Sequence, residues 1–252
     1  MHKIISIFTV IIMLLAQNAR AEKIIIAADY WCPYNCKPDT EYPGYLVELV
    51  TKAFAKYNID VEYKLMPWRE SVEAAKAGNV HAVIGASKDE ADGLILPSFA
   101  LAEGPTGVYV INGDRWVLDG MESLRKKELC LIVGYGQSGV VEQYIYENYP
   151  ASPQLFVVED GLYASNDCLA RLMEHRVDIL IENDYVMDNM TKNLRSKNDV
   201  VKAGNLGLEN LYLALSPNHN KSYYYMKILG NAMSEMKKNG EALEIAQKYG
   251  LQ

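Results

Sequence analysis

The chain has 252 residues, half of them hydrophobic, with 25 basic against 32 acidic residues and a net charge of −7. That length and apolar content supply an ample core without help from a metal or cofactor, and fit one large domain or two of roughly 100 residues each. The acidic balance argues against a nucleic-acid partner, whose phosphates call for a basic surface.

His2 and Lys3 precede a mostly apolar run from Ile4 to Ala16, and Ala19-Arg20-Ala21 supplies the small-residue triplet of a secretory leader. Cleavage is expected before Glu22, with export to the periplasm. The run falls short of the roughly 20 residues of a membrane span. The first cysteine, Cys32, lies too far downstream to take a lipid, so a soluble product is expected. Without the leader, which carries Lys3 and Arg20, 23 basic residues face 32 acidic ones and the net charge becomes −9.

Short apolar runs then alternate with amphipathic stretches. Lys23–Ala28 reads as a strand, Leu46–Tyr57 as a helix with apolar residues at 46, 49, 50, 53, 54 and 57, and Val61–Met66 as a strand. Trp68–Ala77 is a helix, Gly78-Asn79 a break and His81–Ala86 a strand. This βαβαβ order predicts a parallel sheet covered on both faces. A second α/β series starts at Cys130: strand Leu131–Val133, helix Ser138–Tyr149, strand Leu155–Val158, helix Asn166–His175 and strand Ile179–Ile181. Gly104–Ile111 and Asn210–Leu215 lack a helical period and suit two extended crossings between lobes. From Lys221 the chain is mainly helical, with Gly240 separating a long stripe from a short final helix. The expected organisation is a leader over 1–21, a discontinuous first lobe over 22–108 and 210–252, and a second lobe over 109–209.

Cys32, Cys36, Cys130 and Cys168 all fall in the exported part, where the compartment is oxidising. Three pairings are possible. Nearness in sequence favours Cys32 with Cys36, and a shared run of strands favours Cys130 with Cys168. A metal site would bring tighter CxxC pairs or nearby histidines, so no metal and no cofactor is expected.

Several segments resemble a known family in their order and spacing: Trp31-Cys32-Pro33-Tyr34, Gly44-Tyr45-Leu46-Val47, Pro67-Trp68-Arg69, and Gly78 through Gly85. Gly134-Tyr135-Gly136-Gln137-Ser138, Arg176-Val177-Asp178, and Gly240 through Gly250 continue the match. Together they resemble the extracellular solute-binding proteins of family 3, receptors associated with polar amino acid import. The resemblance implies an α/β, type II periplasmic-binding fold in which two lobes, joined by two extended crossings, close by hinge bending on a ligand in the cleft between them. It also implies a monomer that serves an inner-membrane ABC permease.

The residues expected at the cleft follow from strand ends and turns. Trp31 and Tyr34 follow the first strand and offer aromatic faces. Trp68 fits core and site equally, and Arg69 fits the cleft mouth or solvent. Gly85 and Ser87 leave the third strand at its carboxyl end, where free backbone groups meet ligands. Gln137 and Ser138 open a helix, where N–H groups hold an anionic or carbonyl oxygen, although Ser138 also fits a plain N-cap. Amino-acid-binding members are expected to carry an arginine that grips the α-carboxylate; counting places Ala91 or its neighbour there, and only Lys88 or Arg69 offers a substitute cation. The acid that holds a ligand's ammonium maps to Asn183, with Glu182 and Asp184 beside it. The two departures point away from a zwitterionic ligand.

Enzyme motifs are lacking: His81, His175 and His219 are widely spaced, and no HExxH, Gly-x-Ser-x-Gly or phosphate loop occurs. A binding protein is therefore expected. Two alternatives stand beside it: a cleft enzyme of the cyclohexadienyl-dehydratase type, with Glu90, Glu182 and Asp184 as its acids, and a sensory receptor for a membrane signalling partner.

Overall fold

The computed structural model describes residues 22–136, 139–149, 151–192 and 199–251. The expected leader, and Gln137 and Ser138, lie outside the described residues.

Strands are β1 (Glu22–Ala28), β2 (Ile59–Leu65), β3 (Ala82–Ala86), β4 (Ala102–Ile111), β5 (Leu129–Ile132), β6 (Phe156–Glu159), β7 (Ile179–Asn183) and β8 (Val200–Leu215). Helices are α1 (Tyr45–Ala55), α2 (Trp68–Ala77), α3 (Gly139–Asn148), α4 (Ala164–Met173), α5 (Asp184–Thr191), α6 (Ser222–Lys238) and α7 (Glu241–Lys248). The sheet order is β2-β1-β3-β8-β4-β7-β5-β6. β1 pairs in parallel with β2 and β3, and β5 in parallel with β6 and β7. Between these two parallel groups run β4 and β8, antiparallel to each other over ten residue pairs from Ala102↔Leu211 to Ile111↔Val200. β8 then pairs antiparallel with β3, which returns the chain to the first group.

The pattern follows from burial. β1 reads EKIIIAA and buries Ile24, Ile26, Ala27 and Ala28, as a strand covered on both faces must. α1 turns Leu46, Leu49, Val50, Ala53 and Phe54 onto it, and α6 adds Tyr225, Leu229, Ala232 and Met236 to the same cluster. The second group carries two apolar clusters, one including Cys130, Cys168 and Leu172, the other Val108, Leu124, Leu129 and Ile179. Both expected disulfides form: Cys32 with Cys36, and Cys130 with Cys168, leaving no free cysteine.

Two elements differ from the expectation. β8 begins at Val200, ten residues before Asn210, because its first half pairs with β4 out to Ile111↔Val200, although between Val200 and Leu211 none of its residues is fully buried. Helix α5 was not anticipated; Asn183 caps it, its Oδ1 accepting from the Tyr185 N–H at 3.0 Å.

Candidate binding cleft

The carboxyl ends of β1, β3, β5 and β7 face one cavity, about 560 Å³ of space free of protein atoms including its mouth. Its lining draws on both parallel groups and on both crossings.

Asp29 and Trp31 follow β1, Gly85 sits in β3, and Glu90 lies on the turn beyond it. Gly85 has φ +91° at a β-bulge, and a Cβ there would lie 2.7 Å from Asn35 Nδ2, so the backbone can face the cavity only without a side chain. Asn35 is fixed in turn: its Nδ2 donates to the Ile84 carbonyl at 3.1 Å, which leaves Oδ1 as a buried acceptor without a partner. From the other group come Tyr135, Gly136, Ile181, Glu182 and Asn183, and from the crossings Thr106, Glu209 and Leu211.

Polar contacts tie the two groups together around this space. Trp31 Nε1 donates to Glu182 Oε1 at 2.9 Å, Trp68 Nε1 to the Gly134 carbonyl at 3.0 Å, and the Tyr135 hydroxyl to Asp29 Oδ2 at 2.6 Å. Glu90 spans the gap, accepting from Ser87 N–H at 2.8 Å through Oε2 and from Gly136 N–H at 3.0 Å through Oε1. At the rim, Tyr30 N–H donates to the Leu162 carbonyl at 3.0 Å and Arg69 pairs with Asp160 at 2.5 Å. The halves are therefore closed on each other.

Four carboxylates line the cavity, and no basic side chain does among the described residues. Burial pushes Asp29 and Glu90 each up to about 7, against the pull of Tyr135 on the first and of two backbone N–H groups on the second. Glu209 also rises to about 7, through burial and then the charges of Glu90 and Glu182. Burial raises Glu182 as well, although Trp31 and the Asn183 N–H hydrogen-bond its Oε1. Its Oε2 has no partner; Ser165 lies close enough to favour the charged form, without hydrogen-bond geometry.

Of the anticipated cleft residues, Trp31, Trp68, Gly85 and Asn183 line the cavity. Tyr34 does not: it is fully buried behind Trp31, stacked on it with centroids 4.8 Å apart. Ser87 serves the Glu90 turn, donating through its N–H and accepting the Glu90 N–H with Oγ at 3.4 Å. Arg69 is held at the rim by Asp160. Asp184 points elsewhere, taking Lys202 at 2.6 Å and the Tyr109 hydroxyl at 2.6 Å. At the counted arginine position Ala91 is buried, Lys88 is exposed, and the neighbour Glu90 lines the cavity with an acid. The acid expected at Asn183 stands one residue earlier, at Glu182. Asp29, Asn35, Thr106, Tyr135 and Glu209 escaped the sequence reading; for Asp29 and Tyr135 the signal was present, since one directly follows a buried strand and the other sits in the turn Gly134-Tyr135-Gly136. The described residues hold no group of three or more His, Cys, Asp or Glu side chains placed for a metal ion.

Two parallel α/β halves, joined by two crossing strands and closed over a polar cavity, define a two-lobed binding protein of the type II periplasmic-binding fold. The chain belongs to the bacterial extracellular solute-binding proteins, family 3, whose model matches residues 24–252. Among curated proteins none matches significantly. Solved structures share the fold. A histidine kinase sensor domain with similarity to periplasmic binding proteins has 18% identity and a TM-score of 0.73 over 92% of this chain and 97% of that one. An ancestral arginine-binding protein bound to glutamine has 18% identity and a TM-score of 0.73 over 93% and 100%. A putative L-cystine ABC transporter protein from Listeria monocytogenes has 17% identity and a TM-score of 0.70 over 90% and 95%.

Proposed function

We propose that the protein is a periplasmic receptor that captures a small polar molecule by hinge closure and presents it, unchanged, to an inner-membrane ABC importer. In this reading the mature protein begins at Glu22, acts as a monomer, and divides into lobes over 22–108 with 210–252 and over 109–209. The observation that carries it is the closed cavity itself, lined from both halves and rimmed by polar contacts between them, which a ligand entering an open form would complete. Trp31, Trp68, Gly85 and Asn183 touch the ligand directly. Arg69, Ser87, Tyr34 and Asp184 support the site from outside it.

Two measurements test the reading. Small-angle scattering compares ligand-stripped and ligand-loaded protein, and mass spectrometry identifies the molecule that denaturation releases. Contraction on loading and recovery of the molecule intact are expected. An unchanged scattering profile would remove the receptor reading, and recovery of a product lighter by one water would point to a dehydratase.

A second reading, a sensory receptor, gains support from the similarity to a histidine kinase sensor domain. Uptake of the released molecule by cells lacking the protein separates the two. Lost uptake supports the importer, and intact uptake with a lost response supports the sensor.

A further inference from the structure

We propose that the ligand is an organic cation, an amine with no carboxylate group, held between the cavity acids and the two indole rings. The inference rests on the receptor reading and adds the charge class of its ligand.

The acids alone do not make a site; the orphaned atoms beside them do. Glu182 is 4% exposed and lines the cavity with Oε2 unpartnered, and Asn35, 1% exposed, lines it with Oδ1 unpartnered. Thr106 Oγ1 is a third buried oxygen there without a partner. A buried acceptor without a donor is costly, so the missing partner is a donor. The Asn35 amide cannot flip to supply its own, because its Nδ2 is committed to Ile84. Apart from the Ser165 hydroxyl near Glu182, the orphaned acceptors have no protein donor in reach, and no Lys, Arg or His lines the cavity among the described residues, so the donor for Asn35 comes from the ligand.

Charge decides the rest. Asp29, Glu90, Glu182 and Glu209 share one closed space, and the Glu209 side chain has neither a salt bridge nor a hydrogen bond among the described residues. An α-carboxylate brought into that space would find no side-chain cation among the described lining residues and would be a buried anion among like charges. An ammonium group meets acceptors on every side, and Trp31 and Trp68 present aromatic rings that attract a cation. A divalent metal is disfavoured by geometry, since among the described residues no three acids converge to coordinate it. Asn183 lines the cavity too, and its Nδ2, buried without a hydrogen-bond partner among the described residues, is a donor that suits a hydroxyl or other neutral acceptor on the same molecule.

The test uses matched pairs that differ only in the α-carboxylate: putrescine against ornithine, cadaverine against lysine, agmatine against arginine, histamine against histidine, and tyramine against tyrosine. Each is titrated calorimetrically into the mature protein, and the molecule released on denaturation is identified by mass spectrometry. At least one amine is expected to bind a hundredfold or more tightly than its carboxylated partner, and any released molecule to bear a nitrogen cation without a carboxylate. Glu209→Gln, at a side chain with no hydrogen bond to lose, is expected to weaken the amine at least tenfold without lowering the melting temperature at neutral pH. Glu182→Gln, which keeps an oxygen for Trp31, should do the same. A released or tightest ligand that carries a carboxylate or no positive charge overturns the inference, and so do two Gln variants that bind the amine as tightly as the unaltered protein. Such a ligand, if it still contracts the protein, leaves the receptor reading standing. Failure of every compound to bind, with nothing released and no contraction, removes both.

Discussion

The outer surface and the cleft treat acidic side chains in opposite ways. Outside, each acid of note has a lysine: Glu22 with Lys221 at 2.8 Å, Glu62 with Lys23 at 2.9 Å, Glu48 with Lys248 at 2.7 Å and Asp184 with Lys202 at 2.6 Å. The lysine hydrogen bonds of Glu22 and Glu62 hold both below the usual carboxylate range. Inside, Asp29, Glu90 and Glu209 have hydroxyl or backbone partners or none, and all three rise. Among the described residues no basic side chain lines the cavity, and bare buried acids gathered at one cavity are candidates for a functional role.

The most direct way to break this contrast is to give the cavity a lysine of its own. Glu209→Lys should cost an amine ligand about a thousandfold in affinity, ~4 kcal/mol, because it replaces an attraction by a repulsion in a closed space. The ligand-free variant is expected to melt no lower than the parent. Calorimetry and a thermal melt check both.

Trp31→Ala comes next. The indole is a cavity wall, but it also packs in the first core cluster, 7% exposed, against Tyr34 and on Glu182. Truncation should therefore lower stability by ~3 kcal/mol as well as weaken binding by at least ~1 kcal/mol. A urea melt separates the two effects, and loss of binding without loss of stability would contradict the packing.

Acidity sharpens the comparison with opposite signs. The paired surface acids stabilise the fold fully above about pH 4.5, and that stabilisation is lost as pH falls. Asp29 ordinarily titrates near 3.8 and Glu90 and Glu209 near 4.5, but folded they hold their protons to about 7. Their proton binding favours the closed ligand-free form below about pH 4 and ceases to do so as pH rises through 7. His81 and His219, held low chiefly by burial, pull the other way near pH 6.5. The difference between parent and Glu209→Gln melting curves from pH 4.5 to 8 isolates the cavity contribution. The variant should gain relative stability toward pH 8, and an unchanged difference would show that Glu209 does not titrate in this window. The smallest effect is expected outside: Asp184→Asn should change ligand affinity less than threefold while costing up to ~1 kcal/mol of stability from its exposed ion pair.

The regular parts of this molecule were legible in the sequence because burial imposes period. β1, α1 and α2 fall within one or two residues of their expected ends, since each carries an uninterrupted apolar run or stripe. Both disulfides were readable from spacing and compartment. β8 was half legible: Leu211 and Leu213 to Leu215 are buried, whereas in 200–209 the apolar residues are spaced by Lys202, Gly204, Asn205 and Gly207 and mostly half-buried or exposed, so no clear strand period stands out. The site was read where aromatic rings and glycine turns mark strand ends, at Trp31, Trp68 and Gly85. It was missed where identity depends on which way one residue faces. Asn183 and Asp184 were weighed as ligand contacts, yet Glu182 presents the orphaned oxygen while Asp184 turns to Lys202, and nothing local in Glu-Asn-Asp distinguishes them.

The hydrogen bonds and ion pair that join the two halves have a kinetic consequence. Trp31, Trp68, Tyr135, Glu90, Tyr30 and Arg69 each reach across, and they surround the cavity instead of lying to one side of it. In the receptor reading proposed above, a bound molecule would leave only when these contacts part together, so they would set residence time, whereas arrival would depend on an open form in which they are absent. Removing a rim contact such as Arg69–Asp160 should accordingly quicken departure and leave the rate of encounter nearly as it was.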